Sequence, residues 1–208
     1  ITKDDEVIAK VQTETLPKDS INLSDKLQCN YYSNDKIFKL ANEVVHNRRL
    51  DTAVNRPDNL YLSLNDMVHK NRLVIPFINE KEEIEFYQTR TLRPQDNKIK
   101  PKYLGRVGSE KTLFNINKVS SDHDKVYIFE GPLNAFFTKN SVAVAGITER
   151  GKSFTARQEE QYSGHLKWYD KVWILDSQWV DRASLIKSEV LLKQGESVFI
   201  WPEKFGKR

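Results

Sequence analysis

Val126-Tyr-Ile-Phe-Glu130-Gly-Pro-Leu-Asn134-Ala-Phe-Phe137 is an apolar run that stops at a lone carboxylate, turns at Gly131 and Pro132, and resumes with helical spacing. Val172-Trp-Ile-Leu-Asp176-Ser-Gln178 repeats the first half of that pattern. Parallel strands buried on both faces read as unbroken apolar runs. Each segment therefore predicts such a strand with its acid at the C-terminal end, the rim where open α/β sheets carry their ligand sites. A metal ion would sit there. An acid beside a helix N-terminus also makes a place that accepts phosphate once a cation neutralises the charge. Taken singly, each acid could instead end its strand as a turn or cap residue; two such endings in one region favour a site.

Working outward from these strands, the second half of the chain alternates strand and helix. Strands are expected at Val126–Phe129, Val142–Ala145, Val172–Leu175 and Ser197–Trp201, with helices at Leu133–Lys139, Phe154–Tyr162 and Asp181–Val190. Such alternation predicts a parallel sheet of about four strands flanked by helices. The polar stretch 115–125 divides the chain, giving an expected mixed α+β subdomain over residues 1–118 and an α/β domain over 119–208. In the first part, Ile37, Leu40, Ala41, Val44 and Val45 mark a helix over Asp35–His46, with Ser33 and Asn34 as candidate N-caps. Leu73–Ile78 and Ile84–Thr91 read as a hairpin, and Pro76 pushes its first strand toward a sheet edge.

The basic residues are concentrated rather than spread. The net charge is only +4 over 208 residues, yet Arg90, Arg93, Lys98, Lys100, Lys102 and Arg106 face a single acid, Asp96, in a short span. Tyr87, Gln88 and Tyr103 add stacking and hydrogen-bonding groups to it, the combination that single-stranded nucleic acid requires. The alternative is a solvated loop that happens to be basic. The 38% apolar and 30% charged composition is that of a globular chain, with no run long enough to span a membrane and no apolar signal segment in Ile1–Lys10. An intracellular, cytoplasmic location is expected. Cys29 alone cannot form an intrachain disulfide or a cysteine-rich zinc site, and His46, His69, His123 and His165 lack ligand spacing. Trp168, Trp173, Trp179 and Trp201 read as core or interface residues.

Glu130-Gly-Pro-Leu-Asn134, the strand ending Ser141-Val-Ala-Val-Ala-Gly146, and Ile174-Leu-Asp-Ser-Gln178 resemble the successive motifs of a Toprim domain, the metal-binding domain of bacterial-type primases, topoisomerases and some nucleases. Upstream, Asn71-Arg-Leu-Val-Ile-Pro-Phe77, Tyr87-Gln-Thr-Arg90, Lys100-Pro-Lys-Tyr-Leu104 and Leu113-Phe114 resemble the basic subdomain that precedes Toprim in primases. Val198-Phe-Ile-Trp-Pro202 is most similar to primases of large tailed bacteriophages. The resemblance implies template-directed synthesis of short RNA primers on single-stranded DNA from nucleoside triphosphates, with Mg²⁺ or Mn²⁺. It implies Glu130 and Asp176 as catalytic residues, and Glu130, Asp176 and Gln178 as the metal ligands. Arg72, Gln88, Arg90, Lys100, Lys102 and Tyr103 become the nucleotide or template contacts. A replicative helicase is the expected partner, through regions not present here.

The sequence also departs from that pattern. Asn134 stands where Toprim domains usually carry an acid, Gln178 replaces the second Asp of an Asp-x-Asp pair, and the chain ends at Gly206-Lys-Arg208 before a further acid would be reached. An amide offers a metal a neutral oxygen, and each lost charge removes an attraction of about 4 kcal/mol at 4 Å in a solvated site. A weakened Toprim protein that holds DNA or a helicase without making bonds is the alternative reading, and a Toprim nuclease a third. Since the chain begins at Ile1 and carries no zinc module, it is expected to be the polymerase core of something longer.

Overall fold

The computed structural model describes residues 15–147 and 154–205. The charged start Ile1–Lys10 and the end Gly206–Arg208 lie outside them. Five antiparallel strands come first, in spatial order β1 (Ser20–Asn22), β2 (Tyr61–Ser63), β3 (Arg72–Ile78), β4 (Ile84–Thr91) and β5 (Tyr103–Gly105). Helices α1 (Lys26–Tyr31) and α2 (Lys36–Asn47) lie between β1 and β2 in the chain. Asp35, one residue past the expected N-caps, closes the first turn of α2 by accepting from the backbone N–H groups of Ile37 and Phe38 at 2.8 Å each. Such a cap is worth about 1 kcal/mol.

The expected hairpin forms, but β3 is an interior strand, paired with β2 on one side and β4 on the other. Pro76 is tolerated because β2 runs alongside only Arg72–Val74, so at Pro76 the strand has a partner on one side alone. The strands at Ser20–Asn22, Tyr61–Ser63 and Tyr103–Gly105 are three residues long and carry no alternation that a sequence reading can distinguish from loop.

The second sheet is parallel, in the order β7 (Ser141–Ala143), β6 (Lys125–Phe129), β8 (Asp170–Ile174), β9 (Ser197–Val198). The expected four-stranded architecture is present with shorter elements. Helix α3 is one turn (Pro132–Ala135) instead of reaching Lys139, and β9 pairs over two residues instead of five. Helix α4 (Ala156–Glu160) opens with a capping box between Thr155 and Gln158 and passes into a π turn at Gln161–His165. Helix α5 (Arg182–Lys193) is capped by Asp181.

Successive residues of a strand face opposite sides, and here both sides of the parallel sheet are buried. Val126, Ile128, Val142, Val144 and Trp173 pack with Tyr162, Leu166 and Leu191 under α4 and α5. Phe129, Ala143, Leu133 and Phe136 pack instead with Phe114, Phe77, Phe86 and Phe38, residues of the first half. The antiparallel sheet thus shares its core with one face of the parallel sheet, which explains the unbroken apolar run of β6. An isolated bridge between Phe114 and Ala143 and the buried amide of Asn55, which donates to the carbonyls of Ala135 and Ser141, tie the halves together.

Candidate metal and nucleic-acid sites

From β6 the chain crosses through α3 to β7 on one side, and from β7 it crosses back to β8 on the other side. The crevice beyond the C-terminal ends of β6 and β8 is therefore the switch point of the sheet, the place where such folds bind ligands. Glu130 follows β6 directly, and Asp176 lies two residues beyond β8; Phe129 is in register with Ile174. The two acids leave adjacent strands, Glu130 one residue and Asp176 two residues past the last paired positions, Phe129 and Ile174. The Glu130 carbonyl accepts from the backbone N–H of Gly146 at 3.0 Å. Gly146 has φ of +116°, a conformation that favours glycine and holds this backbone against the first acid. Beside the second, Trp201 Nε1 donates to the Leu175 carbonyl at 2.8 Å.

The side chains around the crevice differ in what they can offer. Glu130 Oε1 lies 2.8 Å from the ammonium of Lys187 on α5, with Lys187 12% and Glu130 33% exposed. Asp176 is exposed, and none of the described residues engages its carboxylate. Asn134 on α3 is also exposed. Gln178, by contrast, is 8% exposed. Its Nε2 donates to Ser188 Oγ at 2.9 Å and to the Phe199 carbonyl at 3.2 Å, while its Oε1 accepts from the Trp201 N–H at 3.3 Å. The Gln178 amide is thus committed to holding α5 and the segment after β9 together. Among the described residues no group of three acids, histidines or cysteines is arranged to hold a metal ion.

The donor set still fits one hard divalent cation. Mg²⁺ keeps several waters and is commonly held by one or two carboxylates together with substrate phosphates. Two carboxylates on adjacent strand ends meet that requirement, and the Lys187 ammonium against Glu130 shows that positive charge is accommodated at this point. Lys187 was not legible as a site residue, because nothing near it in sequence marks it.

The basic residues divide between the faces of the antiparallel sheet. Register pairs Leu73 with Arg90, Ile75 with Gln88 and Phe77 with Phe86. Gln88 and Arg90 therefore share the face that carries the core, and Tyr103 pairs with Arg90 from β5. At the rim of that face, Arg90 Nη1 donates to the Tyr103 hydroxyl, and its guanidinium carbon lies 5.0 Å from the centre of that ring. Lys102 Nζ approaches the same ring to 5.8 Å. Arg48, just past α2, joins them: burial lowers its pKa first, and the positive charge of Arg90 lowers it further. Gln88 is buried between Ile75 and Gly105, whereas Lys100 is exposed.

Arg72 stands on the opposite face with Thr89 and Thr91, and it is only 2% exposed. Its Nε donates to Thr89 Oγ1 at 2.9 Å, and its Nη2 donates to the carbonyls of Pro101 and Lys102 at 2.7 and 3.1 Å. Nη1 is enclosed without a partner, and burial lowers the pKa of the group while Asp96 pulls it back up. In this arrangement Arg72 is a clamp beneath the basic loop and is not itself open to nucleic acid. No hydrogen bond or ion pair among the described residues joins the basic rim to the acid-bearing crevice.

The mixed α/β fold with its four-stranded parallel sheet matches that of primase catalytic cores. The RNA polymerase domain of the Mycobacterium tuberculosis primase DnaG matches with a TM-score of 0.59 at 16% identity, over 83% of this chain and 71% of that one. The Escherichia coli primase catalytic core matches at 0.53 and 14% identity, over 87% and 72%. A DnaG catalytic domain bound to single-stranded DNA matches at 0.52 and 13% identity, over 83% and 67%. In sequence, the chain is similar to the DNA primase of Enterobacteria phage T4, 26% identical over 136 residues, which are 64% of this chain and 35% of that protein. The chain spans about a third of that relative's length. No family model matches it. The resemblance to bacterial and bacteriophage primases, and the fold it implied, both stand.

Proposed function

We propose that the chain is the polymerase core of a DNA primase, which joins ribonucleoside triphosphates on a single-stranded DNA template with Mg²⁺ or Mn²⁺. The observation that carries this reading is the placement of Glu130 and Asp176 at the C-terminal ends of neighbouring parallel strands on either side of the switch point. In it, Glu130 and Asp176 hold the cation, which neutralises triphosphate charge and lowers the pKa of the attacking hydroxyl. Arg90, Lys102, Tyr103 and Arg48 bind phosphates and stack bases of the template or the incoming nucleotide, and Lys100 adds charge at the edge. Arg72 orients the loop that bears Lys100 and Lys102. Work of this kind belongs in the cytoplasm beside a replicative helicase, and no helix among the described residues is long and apolar enough to cross a membrane.

Purified protein incubated with a single-stranded template, labelled ribonucleotides and Mg²⁺ is expected to give a ladder of short RNAs. Glu130→Gln and Asp176→Asn should each slow it by roughly 100-fold or more, the scale of losing one preorganised charge-stabilising group. No ladder from the wild-type protein under Mg²⁺ or Mn²⁺ would overturn the catalytic reading.

A second reading has its own support. Gln178 is committed internally and Asn134 is neutral, so the crevice holds fewer acids than Toprim domains usually carry. A core that binds template or helicase without synthesis would keep the basic rim and lose the chemistry. Template binding with no ladder is the outcome that selects it.

A further inference from the structure

Lys187 is an ammonium with little access to water, delivered by the middle of α5 to the first acid of the crevice. A lysine so enclosed needs an anionic partner, and Glu130 Oε1 at 2.8 Å supplies it. Glu130 itself remains one-third exposed, so its carboxylate can still be approached from solvent. Asp176 is exposed, is engaged by no described residue, and follows the neighbouring strand β8 by two residues. Two carboxylates and one ammonium give the crevice a formal charge of −1, where the acids alone would give −2.

We propose that Lys187 is a resident counter-ion which a divalent cation must displace from Glu130, and which then turns to the phosphates of the nucleotide that accompanies the metal. This deepens the reading of Glu130 and Asp176 as cation ligands and rests on it. The consequence is a site that holds a bare divalent ion weakly and a metal–nucleotide complex well. A +2 ion bound at Glu130 meets the ammonium as a like charge a few ångströms away, and that repulsion both weakens binding of the ion and drives the ammonium off the carboxylate. Once a triphosphate arrives, the same ammonium gains several anionic oxygens. A lysine on a flexible stem can make that exchange because its charge is a point and not a fixed fork.

The two halves of the proposal predict effects of opposite sign from one substitution. Lys187→Met keeps the buried aliphatic stem and removes the charge. Mn²⁺ alone, followed by electron paramagnetic resonance of the free ion, should bind Lys187→Met about tenfold more tightly than wild type. The Mn²⁺ complex of ATP, followed by calorimetry, should bind it about tenfold more weakly. Lys187→Arg, which retains the charge, should follow wild type for Mn²⁺ alone, and thermal melts confirm that each variant is folded. If Glu130→Gln abolishes Mn²⁺ binding while Lys187→Met changes neither affinity, the counter-ion proposal fails and the metal-site reading survives. If Lys187→Met weakens Mn²⁺ alone, Lys187 only props Glu130 in place and the proposal fails. If neither wild type nor Lys187→Met binds Mn²⁺, both readings fall together.

Discussion

The Arg72 guanidinium donates to the Pro101 carbonyl at 2.7 Å, across the face of the sheet opposite to the one that carries Arg90 and Gln88. A buried cation thus holds the backbone of the loop whose exposed cations are the proposed nucleic-acid contacts. Arg72→Met should destabilise the fold by about 2–3 kcal/mol, because it leaves buried acceptors at Thr89, Pro101 and Lys102 unpaired. Urea denaturation measures that loss. Arg72→Lys should recover only part of it, since one ammonium cannot span Thr89 Oγ1 and two carbonyls as the planar fork does.

Arg48, Arg90 and Lys102 should each neutralise backbone phosphate. Single alanine substitutions are expected to weaken single-stranded DNA binding and to reduce the slope of log affinity against log salt by about 0.7 per lost contact. Fluorescence anisotropy across a KCl series reads both effects. Arg93→Ala, on the exposed turn before residues 94–98, serves as the comparison for a general charge effect. Equal slopes for Arg48→Ala and wild type would remove Arg48 from the interface.

His69 introduces a pH dependence. It is 2% exposed and its Nδ1 lies 2.9 Å from Thr89 Oγ1. Burial lowers its pKa below the usual 6.5, Asp66 opposes that shift and the neighbouring Arg72 adds to it. A histidine with a depressed folded pKa binds fewer protons folded than unfolded, so its contribution is intact above the unfolded pKa and is lost as pH falls below about 6.5. Asp66 is itself held below the carboxylate value of 3.8: burial pushes it up, but backbone N–H groups of His69, Val68 and Lys18 outweigh that. Its contribution is lost only in stronger acid. Stability should therefore decline between pH 7.5 and 5.5, and His69→Gln should flatten that decline in urea titrations.

Restoring the missing acid of the Asp-x-Asp pattern is expected to fail. Gln178→Asp would lose the donor to Ser188 Oγ and the Phe199 carbonyl and would place a carboxylate against that carbonyl. The cost should be about 1–3 kcal/mol, with no gain in Mn²⁺ affinity. A tighter site in Gln178→Asp would mean that this segment rearranges to expose position 178.

Much of the parallel sheet was readable in the sequence because β6 is largely buried and β8 carries the buried Trp173 between apolar neighbours, so that both read as apolar runs ending in single acids. The Leu73–Ile78 and Ile84–Thr91 hairpin was readable for a related reason, since its apolar runs flank a polar turn. Short elements were not: β2 and β5 form because β3 and β4 offer open edges, and nothing in Tyr61–Ser63 or Tyr103–Gly105 forces them to extend. Among residues of the basic segment, the structure packs the Arg90 guanidinium and the Lys102 ammonium against the Tyr103 ring. Arg72 and Gln178 carry the right residue types at the right motif positions, yet their polar groups turn inward.

Local sequence determined the longer strands and helices, the placement of acids at strand ends and the concentration of positive charge, because each depends on neighbours a few residues apart. Only the tertiary structure decided which face Arg72 occupies, whether the Gln178 amide is free, and that Lys187 meets Glu130 across 57 residues of chain. Those outcomes turn on strand register and on where helix α5 lies across the sheet. A shift of one residue in register exchanges the two faces of a strand, and no pattern within the strand itself records which register its partner imposes.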